Sequence, residues 1–187
     1  MNYNLYEFSK GPEKLKFHKT MYAIFSTLKY VNLAIIIIAL IIAFSINNTG
    51  YFIAVLFLLS YILSWYVAKL FYNYYDYSFV EGSIRVIKVE HNKTRRLVVN
   101  FDAKNIISYG KVFGETFEKY NKNKTVKKYY ACVDNATDND LCIAFSNNGV
   151  DNLLIMPYDE GFLSVLIRYT GNRKLDKDFL ESLKTNE

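Results

Sequence analysis

The side chains best suited to chemistry in this sequence form two groups of basic residues in its second half. Clustered ammonium and guanidinium groups attract phosphate and carboxylate, and each such charge near an anionic membrane contributes about 1 kcal/mol to binding. The second group is the better of the two candidates for contact with a lipid headgroup or a partner, and the other interpretation is a solvated loop. The first group is Lys93, Arg95 and Arg96, and the second is Lys119, Lys122, Lys124, Lys127 and Lys128.

Residue patterns of enzymes are missing from the sequence. The two histidines, His18 and His91, stand apart from any candidate nucleophile, and we expect both to be solvated. No G-x-S-x-G, Walker A, G-x-G-x-x-G or H-E-x-x-H motif occurs. Asp134, Asp138 and Asp140 are spaced partly like a calcium loop but lack its glycine and its final glutamate. The sequence therefore predicts a protein that is not an enzyme and that holds no metal and no cofactor.

Charge and cysteine content restrict the function further. The 187 residues carry a net charge of +5, but from residue 73 onward 17 basic side chains face 16 acidic ones. Such a balance is not typical of nucleic-acid binding, which needs a strongly basic surface. Cys132 and Cys142 are either buried reduced thiols or one bridge between neighbouring strands.

Two long apolar runs in the first half predict a transmembrane helical hairpin over residues 30–72. Residues 30–46 contain no charge, and residues 51–72 contain only Lys69, near their end. Each run is long enough to cross a hydrocarbon core of about 30 Å. The four residues between them, Asn-Asn-Thr-Gly, favour a tight turn.

The distribution of lysine predicts the orientation of this hairpin. Five lysines precede the first run, the turn carries no charge, and most basic residues follow the second run. The positive-inside rule then places both termini in the cytoplasm, in a multi-pass protein of the cytoplasmic membrane. Residues 1–29 are interpreted as a basic juxtamembrane segment. Residues 12–30 form either a separate interfacial helix or an extension of the first span.

Ser60, Ser64 and Ala68 recur every four residues in the second run. Small residues at this spacing allow close helix contact in membranes. This face can pack against the first span or against a helix of another protein.

Residues 73–187 show short alternating runs that predict a cytoplasmic domain of seven strands. Residues 113–125 are predicted to be a polar loop. Asp159 is a candidate N-cap of a helix that Gly171 ends, and residues 176–184 are predicted to form a last short helix. The predicted strands cover residues 76–80, 83–91, 95–101, 106–112, 126–133, 141–145 and 152–156.

Two stretches resemble bacterial pleckstrin-homology-like (PH-like) domains. They are YDYSFVEGSIRVIKVEHNKTRRLVVNFDAKNIISYG and DNLLIMPYDEGFLSVLIRYTG. The resemblance implies an α+β fold in which the hairpin precedes a PH-like, seven-stranded antiparallel β-barrel or sandwich capped by a C-terminal helix. Two spans followed by such a domain also resemble small clostridial membrane proteins. At the first turn of the domain, where lipid-binding relatives carry basic residues, this sequence has Glu81.

We therefore expect a membrane-anchored, non-enzymatic interaction module. One alternative is a domain that binds or senses anionic lipid through the second basic group. Another is an accessory subunit of a membrane transporter or envelope enzyme. The expected partners are the lipid bilayer and a membrane or cytoplasmic protein, and a homo-oligomer is a further alternative. Nucleic acid is not an expected partner.

Overall fold

The computed structural model describes residues 5–45, 48–91 and 93–185, which divide into two compact units. The hairpin unit consists of Pro12–Asn73 and Glu90–Lys93. The sheet unit consists of residues 5–11, Tyr74–Val89 and residues 94–185. The sheet unit is therefore discontinuous in sequence, because the hairpin unit interrupts it after residue 11.

Two helices form the hairpin unit: α1 (Leu15–Ser45) and α2 (Thr49–Leu70). Both are long and apolar enough to cross a membrane. Helix α1 is continuous over 31 residues, or about 46 Å at 1.5 Å per residue. From Leu15 onward the segment predicted as residues 12–30 is continuous with the helix of the first apolar run, and no break marks a separate interfacial helix.

Small residues bring the two helices together. Ala39 and Ala43 of α1 are buried, as are Gly50 and Ala54 of α2. A Cβ atom added to Gly50 would collide with the carbonyl oxygen of Ala39, so only glycine permits this approach.

A polar contact joins the same two helices farther along. Asn32 is buried, and its Nδ2 donates to Ser60 Oγ at 2.9 Å. Ser64 and Ala68 are also buried. The small-residue face of α2 therefore packs against α1, which is the first of the two alternatives given for it: contact with the first apolar helix rather than with another protein.

His91, in the turn before β4, packs within the hairpin unit. His91 stacks on the ring of Tyr22 with 4.4 Å between centroids, and its Nε2 lies 3.1 Å from the carbonyl oxygen of Ala68. The expectation of a solvated histidine at this position is wrong, because sequence position at a turn does not reveal which element the turn contacts.

The first sheet has the order β1-β2-β3-β4 and lies in the first part of the sheet unit. Strand β1 is antiparallel to β2, with Leu5 opposite Val80 and Lys10 opposite Tyr75. The two-residue turn Glu81-Gly82 joins the next pair, with both residues at positive φ. The four strands are β1 (Leu5–Lys10), β2 (Asn73–Val80), β3 (Ser83–Glu90) and β4 (Thr94–Asp102).

Strand β1 lies within residues 1–29, a range interpreted from the sequence as a basic juxtamembrane segment without a strand. The basic residues around it suggested a juxtamembrane segment, whereas Tyr6 and Phe8 alternate on one face and pack on the sheet unit. Its partner β2 lies beyond the whole hairpin, and local sequence periodicity cannot show a pairing over that separation.

The second sheet has the order β5-β7-β8-β6. Neighbours β5 and β7, and β7 and β8, are antiparallel, but β6 runs parallel to β8. The prediction of a seven-stranded, wholly antiparallel barrel is corrected by these pairings: the described residues form eight strands in two four-stranded sheets. The strands are β5 (Ile106–Lys111), β6 (Lys127–Tyr130), β7 (Leu141–Asn147) and β8 (Val150–Met156).

Helix α3 (Glu115–Asn121) lies within the residues predicted to be a loop. Its Phe117 and Tyr120 cover one face of the second sheet, where they meet Cys142 and Leu153. The other face of the same strands enters the larger core. Because α3 covers it, the second sheet is buried on both faces, which explains the unbroken burial of residues 141–145.

Two further helices, α4 (Glu160–Thr170) and α5 (Lys177–Thr185), complete the sheet unit. Asp159 is the N-cap of α4 and accepts from Phe162 N at 2.8 Å, which confirms the sequence prediction. The same carboxylate accepts a hydrogen bond from the Tyr6 hydroxyl at 2.6 Å, which ties β1 to α4. Phe162 is fully buried in the core, as expected of a closing C-terminal helix.

Candidate functional site

The first predicted basic group lies around β4. Lys93 is exposed in the turn before the strand, and Arg95 and Arg96 are exposed at its start. Arg95 lies 3.7 Å from the carboxylate of Asp76, with most of its side chain in solvent. An exposed pair of this kind contributes little to stability, so Arg95 stays available to other anions.

The second predicted basic group does not form one surface. Lys122 pairs with Glu118 one turn earlier in α3, and Lys128 Nζ donates to the carbonyl oxygen of Asn121. Lys124 and Lys127 are exposed, the latter with its ammonium over the ring of Tyr129. Lys119 lines a cavity.

That cavity, the basic cleft, is the candidate site. It has a volume of about 380 Å³ and lies among β5, α3, the chain between α4 and α5, and the start of α5. Its size is at the lower end of small-molecule sites. It is lined by Ser108, Glu115, Thr116, Lys119, Asn172, Arg173, Lys174, Leu175, Asp176, Lys177 and Leu180.

Contacts with β5 hold the chain between α4 and α5 in place. Leu175 forms a parallel bridge with Tyr109, and Asp176 N donates to Tyr109 O at 2.9 Å. Lys174 Nζ donates to the carbonyl oxygen of Ile106 at 2.5 Å. Because backbone pairing sets this segment, Arg173 and Lys177 project from a fixed base rather than from a free loop.

A buried carboxylate connects the same segment to α3. Asp176 is 7% exposed, and its two oxygens accept from Thr116 N at 3.0 Å and from Thr116 Oγ1 at 2.5 Å. Thr116 Oγ1 also lies 2.9 Å from Ser108 Oγ. A Cβ atom on Gly110 would collide with Asp176 Oδ2, so glycine makes room for the carboxylate. These contacts define the floor of the cleft.

The charges around the cleft favour an anion. Four cationic side chains line it against two carboxylates, and Asp176 directs both oxygens at Thr116. Lys174 is engaged by backbone carbonyl oxygens, whereas Arg173 and Lys177 are exposed. Within the described part of the chain, no hydrogen bond or ion pair engages the charged groups of Arg173 and Lys177. With Lys119, whose ammonium lies 5.3 Å from the ring centroid of Tyr120, three cations that line the cleft make no ion pair within the described residues.

Sequence reasoning found Lys119 and missed Arg173, Lys174 and Lys177. The last three stand at the junction of two short helices, where a single charge run is usually a solvated face. Their signal was the run Asn-Arg-Lys directly after a helix-ending glycine. What brings them to Lys119 is pairing between segments far apart in the chain, which no local pattern shows.

A second cleft of about 290 Å³ shares Glu115 and Asp176 with the first. It carries the acidic residues Asp138 and Asp178. Lys111 is also on its wall, with Nζ 5.3 Å from the ring centroid of Phe179. With four carboxylates against one lysine, this second cleft suits an anion less well than the basic one.

The candidate nucleophiles of the sheet unit are held in their neutral forms. Burial, followed by the nearby charge of Asp140, raises the pKa of Cys132 to about 12. Burial and the charge of Asp176 raise the pKa of Cys142 to about 12. Burial also raises the pKa of Tyr77 and of Tyr109. Both cysteines are free thiols, in agreement with the reduced alternative.

Potential metal ligands are dispersed over the described residues. Within 5–45, 48–91 and 93–185, no three His, Cys, Asp or Glu side chains are grouped as a metal site would require. Asp140, one of the three aspartates with calcium-like spacing, instead accepts from Thr137 N at 2.7 Å within its own turn.

Comparison with protein families gives one match. The family described as "Bacterial PH-like domain (DUF6106)", whose function is unknown, matches residues 15–175, a range that includes α1 and α2 as well as most of the sheet unit. No curated protein and no solved structure matches the chain. The matched range takes in far more than half of the sequence, and the two sheets with their closing helix agree with its description. The chain belongs to this family of bacterial PH-like domains.

Proposed function

We propose that the protein is a membrane-anchored, non-catalytic binding module. The observation that carries the proposal is the insertion of the helical hairpin between two paired strands. Four residues separate β1 from α1, and two separate α2 from β2. A sheet unit joined to the hairpin at both ends is kept at the membrane, which raises its effective concentration near membrane partners.

The surface of the hairpin supports membrane insertion. Leucine, isoleucine and phenylalanine side chains on both helices are exposed, among them Phe44, Phe52 and Leu59. Lys69, the one charged residue of α2, lies over the ring of Trp65 at 3.3 Å, an arrangement suited to the headgroup region. With the lysines that precede α1, the positive-inside rule favours cytoplasmic termini.

Helix packing favours the module over an accessory subunit. The face of α2 best suited to tight association with a foreign helix contains Ser64 and Ala68, and these are buried in the hairpin. A subunit would have to bind through the larger, exposed side chains. Such side chains are equally suited to contact with lipid.

Binding of anionic lipid is the second candidate function. The specific observation in its favour is the basic cleft. The near-balanced charge of the chain from residue 73 onward favours recognition at one site over general attraction to an anionic surface.

Exchange of the hairpin in its native membrane tests the proposed function. One variant replaces residues 15–70 with an unrelated transmembrane hairpin of equal length, and another joins residue 11 to residue 74 through Asn-Gly. Crosslinking and identification of co-purified proteins should give the same partners for the exchange variant as for the original chain. The joined variant should lose them.

Loss of the partners on hairpin exchange would instead support the accessory subunit, since its binding surface would be the helices. Retention by the joined variant, which has no hairpin, would show that membrane anchoring is dispensable. Circular dichroism of both variants serves as the folding control.

A further inference from the structure

We propose that the basic cleft binds the phosphate group of a small phosphorylated ligand. The inference rests on the proposed binding role and names the ligand chemistry of the candidate site. The cations that carry it are Lys119, Arg173 and Lys177.

The arrangement of these cations suits phosphate. Lys119 comes from α3, Arg173 from the chain after α4, and Lys177 from the first residue of α5. They therefore approach the cleft from three elements. A tetrahedral phosphate offers oxygens to several donors at once, and an arginine fork adds two parallel hydrogen bonds. A carboxylate carries one negative charge on two oxygens, whereas a phosphate group carries about −1.5 to −2 and offers three oxygens, which better matches three cations.

Neutral donors in the cleft add to this set. Asn172 carries an amide on the same segment as Arg173, while the Ser108 hydroxyl at the floor is engaged with Thr116 Oγ1. Leu180, partly buried on the wall, provides apolar surface for carbon atoms attached to the phosphate. The volume of about 380 Å³ admits a glycerol phosphate or a headgroup of similar size.

The cleft is also fixed before any ligand arrives. The bridge between Tyr109 and Leu175 and the contacts of Asp176 with Thr116 hold its walls. A site of fixed geometry loses little conformational entropy on binding, which favours recognition of one small group.

The phosphate could belong to a soluble metabolite or to a lipid headgroup, and two probes separate these sources. Full-length protein in a neutral detergent is titrated by calorimetry with sodium glycerol 3-phosphate and, separately, with dihexanoyl phosphatidic acid. Binding of the first probe at one site identifies a soluble ligand as sufficient. Binding of the second alone identifies the lipid as the source.

Two double variants with the same loss of charge provide the decisive comparison. Lys119→Gln with Lys177→Gln removes two cations from the cleft and should weaken binding by at least about tenfold. Lys122→Gln with Lys124→Gln removes two cations outside the cleft and should change it by less than about twofold. Lys177→Arg, which keeps the charge, should retain binding.

Failure of the original chain to bind either probe would overturn the proposal, and so would an equal loss in both double variants. Neither result depends on membrane anchoring. The hairpin exchange can therefore still support the proposed function when the phosphate site fails.

Discussion

At the scale of single residues, the thiols show how the sheet unit controls ionisation. Cys142 is fully buried between the second sheet and α3. Cys132 Sγ lies 4.0 Å from a carboxylate oxygen of Asp140. Desolvation is the largest cause of the raised pKa in both, since an ionised sulfur would lose its hydration. Both side chains therefore act as neutral packing groups.

This protonation state predicts slow alkylation. At pH 8 a thiol of pKa 9.0 is about one-tenth thiolate, and one of pKa about 12 is ionised about a thousandfold less. Iodoacetamide should therefore label the folded protein at least about tenfold more slowly than the chain unfolded in guanidinium, since the higher nucleophilicity of a high-pKa thiolate offsets only part of its lower abundance. Cys132→Ser and Cys142→Ser assign the rate to each site, and equal rates in the folded and unfolded chain would contradict the account.

The same pKa shifts predict how stability depends on pH. The unfolded thiols lose their protons near the ordinary cysteine pKa of 9.0, while the folded thiols keep theirs to about 12. The unfolded chain thus binds fewer protons in this interval, and the free energy of unfolding should fall as pH rises from 9 to 12. Denaturant titrations of the protein and its Cys132→Ser, Cys142→Ser form should show a smaller fall in the variant. An equal fall in both would assign the effect to other groups.

At the scale of elements, β1 completes a sheet that the hairpin interrupts. Phe8 stacks on Tyr77 with 4.5 Å between centroids and contacts Phe162 edge-on at 5.8 Å. The hydroxyl of Tyr6 adds its hydrogen bond to the N-cap of α4. Strand β1 therefore links the first sheet to the closing helix.

Truncation on β1 tests this link. Phe8→Ala should lower the free energy of unfolding by about 2 kcal/mol, less than for a fully buried phenylalanine because Phe8 is only partly buried. The matched control is Leu5→Ala on the same strand, where the side chain is 58% exposed and little change is expected. Guanidinium titration in detergent measures both, and equal effects would show that β1 does not pack as described.

Packing of the hairpin gives a second prediction at this scale. Gly50→Val places side-chain atoms against the backbone of Ala39 and should destabilise the hairpin by about 1–3 kcal/mol. Leu59→Val on the exposed side of α2 is the control and should have little effect. Thermal unfolding in detergent compares them, and equal melting temperatures for Gly50→Val and the original chain would contradict the close approach.

The sequence was sufficient for elements with strong local signals. The apolar runs, the seven strands after residue 73 and the Asp159 cap are such cases. Helix α3 was missed because its Phe117 and Tyr120 are a single apolar pair among polar residues. Strand β1, the parallel pairing of β6 and the basic cleft depend on contacts between distant segments, for which sequence periodicity carries no information.

At the scale of the whole molecule, the sequence of the sheet unit encloses a hairpin of two helices that are long and apolar enough to cross a membrane. The match of the bacterial PH-like family begins at residue 15, the first residue of α1, so both helices fall within the matched range. This connectivity places the two helices within the chain path of the family's domain rather than in an appended segment. The residues that line the basic cleft all belong to the sheet unit, so hairpin exchange and cleft variants test anchoring and ligand binding separately.

The insertion and orientation of the hairpin are tested most directly by cysteine accessibility in intact cells. In a Cys132→Ser, Cys142→Ser background, Asn48→Cys marks the turn between α1 and α2, and Lys124→Cys marks the sheet unit; both positions are exposed. We predict that a membrane-impermeant maleimide labels Asn48→Cys in intact cells and Lys124→Cys only after permeabilisation, with both proteins resistant to carbonate extraction. Labelling of Lys124→Cys in intact cells, or release of the protein by carbonate, would contradict the account.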